Sequence, residues 1–415
     1  MEYAPFAGLH VIEEIHRVAA DLQDKRMLFI NSTFDGGGVA EILNRMIPFM
    51  NDLNLSVRWE VIKGNDAFFS VTKKIHNALH GGKDRLTPEE YAIFEEIQRQ
   101  NLAQMSLDEE IVFIHDPQPV GLVERKKRNK NYWVWRCHID LSNPNPEVWN
   151  YLKDYVNQYD ASVFSAPAFR KKLDNPQFLI SPSIDPLSEK NREMSMQEIN
   201  NILGQLQIPT DKPLVTQVSR FDRLKDPVGV IQAFKNVKNN KDAYLLLVGG
   251  SASDDPEGAQ VLAEVLDEAA HFPNILVRSL PPTSHLEINA IQRASTIILQ
   301  KSLREGFGLT ITEALWKAKP VIAGAVGGIP LQITHGQSGI LTQSVKETTY
   351  WIERLLDDPN FASKLGLNGR EHVRKNFLIT RHIRDYLLLF LFVSSGKKRE
   401  DFDINKSEFV NYRPA

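Results

Sequence analysis

Short apolar runs of strand length alternate with segments whose apolar residues recur at helical spacing, and this cycle is completed twice along the 415-residue chain. In the first half the runs are MLFINS (27–32), VRWEVI (57–62), IVFIH (111–115), YWVWRCHI (132–139) and ASVFSA (161–166). The segment after the first run places Val39, Leu43, Met46, Ile47 and Met50 on one face of a helix. In the second half the runs are PLVTQVS (213–219), YLLLVG (244–249), ILVRSL (275–280), TIILQKS (296–302), PVIAG (320–324) and GILT (339–342). Such runs, interleaved with amphipathic segments, belong to parallel strands covered on both faces by helices. The expectation is an α/β protein of two doubly wound, Rossmann-like domains facing across a cleft. They span 1–186 and 187–380, followed by a C-terminal helix and tail over 381–415. The stretch TRHIRDYLLLFLFVSSG is apolar on every side for two turns and must be covered, so it is expected to pack back on the first domain. Residues 87–107, opening TPEE, read as a charged helix inserted in that domain.

Composition narrows the function classes. Hydrophobic residues make up 42% and charged residues 24% of the chain, the balance of a soluble globular protein. A net charge of −3 and a pI near 6.4 lack the basic footprint of a nucleic-acid binder. The basic run ERKKRNKN (124–131) reads as a solvated connection. Cys137 has no second cysteine to bridge to, which suits a reducing compartment. No signal peptide is visible, and the most apolar run, YLLLFLFV (386–393), falls well short of the ~20 residues that span a bilayer. A cytoplasmic protein without a membrane anchor is expected.

Ligands of open α/β sheets bind beyond the carboxyl ends of the strands, and the chain's polar motifs stand there. In GGG (36–38), glycines permit close approach to a phosphate and the helix start offers free N–H groups. The P-loop ending and the G-x-G-x-x-G spacing are both missing, so a plain tight turn fits as well. In SRFDRLKDP, Arg220 and Lys225 combine a planar fork with a point charge. That suits a diphosphate leaving group, and equally the ordinary charges of a surface loop. WRCHIDLSNPN closes an aromatic strand with His138 and Asp140, which alternation sends to the same side. They suit sugar hydroxyls, and a structural histidine fits too. IHDPQP offers His115, Asp116 and Gln118 as ligands, or as turn residues ahead of two prolines.

The stretch REGFGLTITEALW (304–316) carries two glutamates. Its apolar face at Ile311, Ala314, Leu315 and Ala318 predicts a helix starting at Thr310, with T-I-T-E as a capping box: Thr310 at N-cap and Glu313 at N3. A glycosidase dyad is disfavoured, because eight residues along a helix span ~12 Å against the ~5–5.5 Å or ~6.5–9.5 Å such pairs need. Glu305 and Glu313 read instead as anchors for two parts of one extended ligand.

Together these motifs resemble the retaining GT-B glycosyltransferases of the family that includes sucrose and glycogen synthases. The resemblance rests on the E-x7-E of EGFGLTITE, preceded by the Arg-x4-Lys of RFDRLK. HNALHG, VFIHDPQP, WRCHIDLSNPN, PSIDPLSEKN, GGSASDDPEG and LREGFGLTITEALWKAKPVI are similar to the trehalose glycosyltransferring synthases within it, over residues 31–377. The WRCHIDLS block is also similar to the retaining trehalose phosphorylases. The pattern is departed from at Asp226, where glycine commonly follows the lysine.

The resemblance implies a GT-B fold with an acceptor-side first domain and a nucleotide-sugar second domain. It implies transfer of glucose from a nucleoside diphosphate glucose (ADP, UDP or GDP) to free glucose with retention, giving trehalose reversibly. The alternative is a phosphorylase using inorganic phosphate. By resemblance Arg220 and Lys225 hold the diphosphate, and Glu313 the ribose hydroxyls. Glu305 and the backbone of Gly306, Phe307, Gly308, Leu309 and Thr310 hold the transferred glucose. His138 approaches that glucose near its 6-hydroxyl. Gly37 and Gly38 pass the diphosphate and the acceptor, and His115, Asp116, Gln118 and Asp140 line the acceptor side. No cofactor or metal site is implied. Magnesium stimulation, the preferred base and a homodimer are left open.

Overall fold

The computed structural model describes residues 1–34, 37–127, 131–238, 242–250 and 256–395. The chain divides into two compact units, Met1–Pro182 together with the chain from Ile379, and Ser183–Leu378. These divisions lie beside the expected limits at 186/187 and 380/381.

In the first unit six strands form one parallel sheet: β1 (Arg26–Asn31), β2 (Ser56–Val61), β3 (Ile111–His115), β4 (Tyr132–Cys137), β5 (Ala161–Phe164) and β6 (Gln177–Leu179). Their order is β2-β1-β3-β4-β5-β6. β3 is buried along its whole length, as a β-branched and aromatic run covered on both faces should be. On one face Phe29 and Phe113 meet edge to face at 5.0 Å, and Tyr386 and Phe390 of the helix Ile379–Ser394 close over them. That helix packs along the helix Leu9–Ala20, with Arg384 Nη1 at 3.5 Å from Glu14 Oε2. Each buried aromatic contributes on the order of 1.5–3 kcal/mol, enough to hold a returning segment in place.

Two expectations change here. The strand read over 132–139 ends at Cys137, so His138 and Asp140 lie beyond the sheet and alternation does not govern them. β6, only three residues long, carries no visible periodicity and went unanticipated. The inserted helix, Pro88–Gln104, opens as TPEE predicts: Thr87 Oγ1 accepts from Glu90 N and the Glu90 carboxylate accepts from Thr87 N.

The second unit repeats the theme with β7 (Leu214–Val218), β8 (Tyr244–Gly249), β9 (Ile275–Ser279), β10 (Ile297–Gln300), β11 (Val321–Gly324) and β12 (Ile340–Thr342), all parallel. Their order is β12-β11-β10-β7-β8-β9. The chain runs outward from β7 to β9, then returns to lay β10 on the other flank of β7. In the first unit the same reversal falls between β1 and β3. At such a reversal the connections diverge to opposite faces of the sheet, which leaves room beyond the strand ends for a ligand.

Candidate functional site

The two motifs of the second unit leave the two strands that flank its reversal. Beyond β7 the chain passes Ser219 and Arg220, makes a short 3-10 turn over Arg223–Lys225, and reaches Asp226 in the left-handed region at φ 49°. Beyond β10 come Lys301, Ser302 and Glu305. The loops meet where the motifs lie: Lys225 Nζ stands 2.6 Å from Glu305 Oε2, and Ser302 Oγ donates to the same oxygen at 3.1 Å. Arg220 pairs with Asp222 at 3.3 Å and keeps 57% of its side chain exposed. Gln217 ties the strand ends together, donating to Lys225 O at 3.1 Å and accepting from Lys301 N at 3.3 Å.

The capping box expected at 310–313 is not formed. The helix runs Leu309–Trp316, and its N-cap is Gly308 at φ 86°, without a side-chain cap. Thr310 therefore lies inside the first turn, where its hydroxyl donates to Gln300 Oε1 at 3.2 Å. The cause is tertiary. Gly308 folds back until a Cβ there would stand 3.2 Å from Glu305 Cγ, and that left-handed glycine starts the helix before Thr310 is reached.

Relieved of capping, Glu313 is almost wholly buried, with Oε1 at 3.6 Å from Lys190 Nζ and Oε2 accepting no hydrogen bond among the described residues. Beneath it Lys317 Nζ donates to Asn191 Oδ1 at 3.1 Å and to Glu313 O at 3.2 Å. Burial pushes the Lys317 ammonium down to about 7 against the opposing pull of Glu313. A buried carboxylate with one unfilled acceptor oxygen beside two lysines is suited to a hydroxyl donor. Phe307 turns its ring into the core against Phe377, centroids 5.5 Å apart, so only its backbone is available to a ligand.

In the first unit the structure brings together two residues that the sequence kept separate. His115 Nδ1 lies 3.0 Å from His138 Nε2 and the rings stack at 15°. Burial, then the nearby Arg136, holds His115 down to about 3. Burial, then Arg136 and His115, holds His138 well below its ordinary value. Both are neutral imidazoles sharing one hydrogen bond. Asp116, at φ 65°, accepts His138 N at 2.7 Å, and burial pushes its carboxyl up to about 7. Asp140 accepts Ser142 N at 2.8 Å. Gln118 O accepts Gln98 Nε2 at 2.7 Å, while its Oε1 is buried with no partner among the described residues. Gly37 and Gly38 open the helix Gly37–Asp52 just beyond β1; Gly36 of the same motif lies outside the described residues.

Sequence reasoning missed Gln217, Lys301, Lys190, Lys317 and Arg136. Arg136 had a signal, being a cation in the middle of the aromatic run YWVWRC, and it is wholly buried with Nη2 on Ser165 Oγ at 3.1 Å. Lys317 had a signal too, standing four residues after Glu313 at the end of the same helix. Gln217 and Lys301 depend on which strand ends become neighbours, and Lys190 on how the segment ahead of the second sheet packs against that helix. Among the described residues no group of three or more His, Cys, Asp or Glu is arranged to hold a metal ion, and no helix is long and apolar enough to cross a membrane. An open depression lined by Arg26, Ser56, Arg58 and Glu109 lies at the amino ends of β1 and β2, the end of the sheet opposite these loops.

With this geometry in hand, comparison with known proteins is specific. Residues 29–171 match the family described as trehalose synthase, N-terminal domain, and residues 198–372 match glycosyl transferases group 1. The chain is 44% identical over 403 residues to the trehalose synthase of Rubrobacter xylanophilus, covering 94% of this chain and 95% of that protein. It is 43% identical over 392 residues to that of Thermococcus litoralis, covering 93% and 95%. To the trehalose phosphorylase of Pleurotus pulmonarius it is 29% identical, over 96% of this chain but only 61% of that longer protein. A UDP-forming trehalose-phosphate synthase from Burkholderia xenovorans superposes with a TM-score of 0.72 at 15% identity, over 89% of this chain and 99% of that one. The phosphorylase is thus the more distant relative, and the solved structure shares the fold. The chain belongs to the trehalose synthase family of GT-B glycosyltransferases, enzymes of glycosyl transfer built on two Rossmann-like domains.

Proposed function

We propose that the protein transfers glucose from a nucleoside diphosphate glucose to free glucose with retention of configuration, forming α,α-trehalose and the nucleoside diphosphate. The observation that carries this reading is the meeting of Lys225 and Glu305 at 2.6 Å, where β7 and β10 flank the reversal of strand order. It joins a cation suited to the diphosphate to a carboxylate suited to the sugar beside it. Arg220 supplies the second cation, and Glu313 offers the ribose an unfilled acceptor oxygen.

In this reading the bond from glucose C1 to the β-phosphate oxygen breaks as the acceptor hydroxyl bonds to C1 from the same face. The acceptor's proton passes to the departing phosphate oxygen. No carboxylate nucleophile takes part; the protein supplies positioning and charge stabilisation, and two side-chain cations serve where other enzymes use a metal. The neutral His115–His138 pair suits hydroxyl groups, each ring keeping one nitrogen beyond the bond they share and bringing no charge to desolvate.

The test incubates the protein with glucose and the ADP, UDP or GDP forms of glucose in parallel, with and without chelator and added magnesium. Trehalose and free nucleoside diphosphate are expected, with the α,α linkage read by NMR and turnover persisting in chelator. Glucose 1-phosphate from trehalose and inorganic phosphate, with no trehalose from any nucleotide donor, would replace this reading by phosphorolysis.

A further inference from the structure

The loops at the second sheet's reversal exchange side chains in both directions. Lys225 from the β7 loop pairs with Glu305 from the β10 loop, and Lys301 from the end of β10 pairs with Asp226 from the β7 loop. Each loop thus contributes one lysine and one carboxylate, and the pairs cross. Under the proposed function, Lys225 and Glu305 have new partners when the donor binds, the diphosphate and the sugar hydroxyls. Asp226 and Lys301 have none, and other contacts fix them.

Asp226 is held by its backbone as well as its charge. At φ 49° and ψ 51° it occupies the conformation for which glycine is the usual choice, and aspartate is among the few residues that tolerate it. From there its Oδ1 caps the helix Pro227–Lys235, accepting from Gly229 N at 3.1 Å. A Cβ on Gly229 would stand 2.2 Å from the Asp226 carboxylate, so the glycine is what lets the cap come this close. On the other side Lys301 is fixed through its N–H to Gln217, and Leu303 N donates to Leu224 O at 2.7 Å, lacing the same loops. The Lys301 and Asp226 side chains are 11% and 21% exposed, much as Lys225 and Glu305 are at 19% and 10%, so burial does not separate the two pairs. Both pairs are poorly screened; what sets the second apart is that its carboxylate is also held by the helix cap and by the left-handed backbone of Asp226.

We propose that Asp226 and Lys301 form a permanent clasp between the two loops, a pair of positioning residues that keeps Lys225 and Glu305 in register after the donor has drawn them apart. The departure from glycine at 226 is then the means by which this chain adds a charge at a position whose backbone conformation glycine would also adopt. The inference rests on the proposed nucleotide-sugar reading of this site.

The test compares wild type with Asp226→Asn and Lys301→Met. Asparagine tolerates the left-handed conformation and keeps a capping oxygen, so this variant removes the charge alone. Affinity for UDP, ADP and GDP is measured by titration calorimetry, together with melting temperature and steady-state kinetics. Each variant is expected to bind the preferred nucleoside diphosphate about tenfold more weakly and to raise donor KM, with acceptor KM unchanged. The double variant should lose no more than the weaker-binding single variant, as partners in one interaction do. Wild-type affinity in Asp226→Asn, or losses that add in the double variant, overturns the clasp and leaves the nucleotide reading standing. A wild-type protein that binds none of the three nucleotides overturns that reading and the clasp with it.

Discussion

At the carboxyl end of the second sheet three cations each hold a carboxylate on the facing loop or the same one: Lys225 on Glu305, Lys301 on Asp226, Arg220 on Asp222. At the carboxyl end of the first sheet the ionisable groups are driven towards neutrality instead, with His115 near 3 and Asp116 near 7. The difference lies in what burial has been allowed to do. Ions held in loops, each against a counter-ion and with Arg220 the most open at 57% exposed, can trade that counter-ion for another, which fits an anionic ligand. A stacked imidazole pair, buried against Arg136, hydrogen-bonds without bringing a charge to be desolvated, which fits an uncharged sugar.

The comparison breaks most easily at Lys225 and Arg220. Replacing either with alanine should lower turnover by about 10²–10³-fold or more while the protein stays folded by circular dichroism. Near-normal turnover in both variants would erase the distinction between the two clusters. Glu313→Gln comes next. Because Gly308 and not a glutamate starts that helix, nucleoside diphosphate affinity should fall about 10-fold or more with melting temperature held within about 2 °C. A lower melting temperature at intact affinity would return Glu313 to a structural role.

On the first sheet the decisive variant is Asp116→Asn, which keeps an acceptor for His138 N and removes the acid. Folding raises this carboxyl from 3.8 to about 7, so between those values the unfolded chain has lost the proton that the folded chain retains. Wild type should therefore lose stability relative to the variant as pH rises through that window, and the difference should be constant above it. Urea unfolding across the range measures this, and a difference that does not vary with pH would show the site to be solvated. The smallest effect is expected at Thr87→Ala, about 1 kcal/mol of stability with nucleotide affinity unchanged, the reverse of the Glu313→Gln pattern.

Those last two residues belong to look-alike sequences, TPEE and TITE, and their divergence says what was legible. Thr87 caps because the chain entering its helix is extended, at ψ 161°, and proline follows. Thr310 does not, because the backbone before it is turned left-handed at Gly308, hard against Glu305. Local residues carry the same signal in both places; the packing of the preceding loop decides whether it is used. His138 follows the same logic: the aromatic alternation of YWVWRC ends with the strand at Cys137, and what orients His138 is Asp116 from the neighbouring strand end.

Periodicity and strand-length apolar runs determined two parallel α/β units, because alternation of runs and helical faces is written residue by residue and survives any change in register. The spacing of Arg220, Lys225, Glu305 and Glu313 likewise determined that cations and carboxylates would stand beyond strand ends. Which ends would be neighbours was decided only by strand order. β7 and β10 are 79 positions apart from the last residue of one to the first of the other, Val218 to Ile297, yet adjacent in the sheet. That adjacency pairs Lys225 with Glu305 and gives Asp226 its lysine. Charges act over a few ångströms of space and take no account of distance along the chain, so their partners appear only when the sheet is assembled.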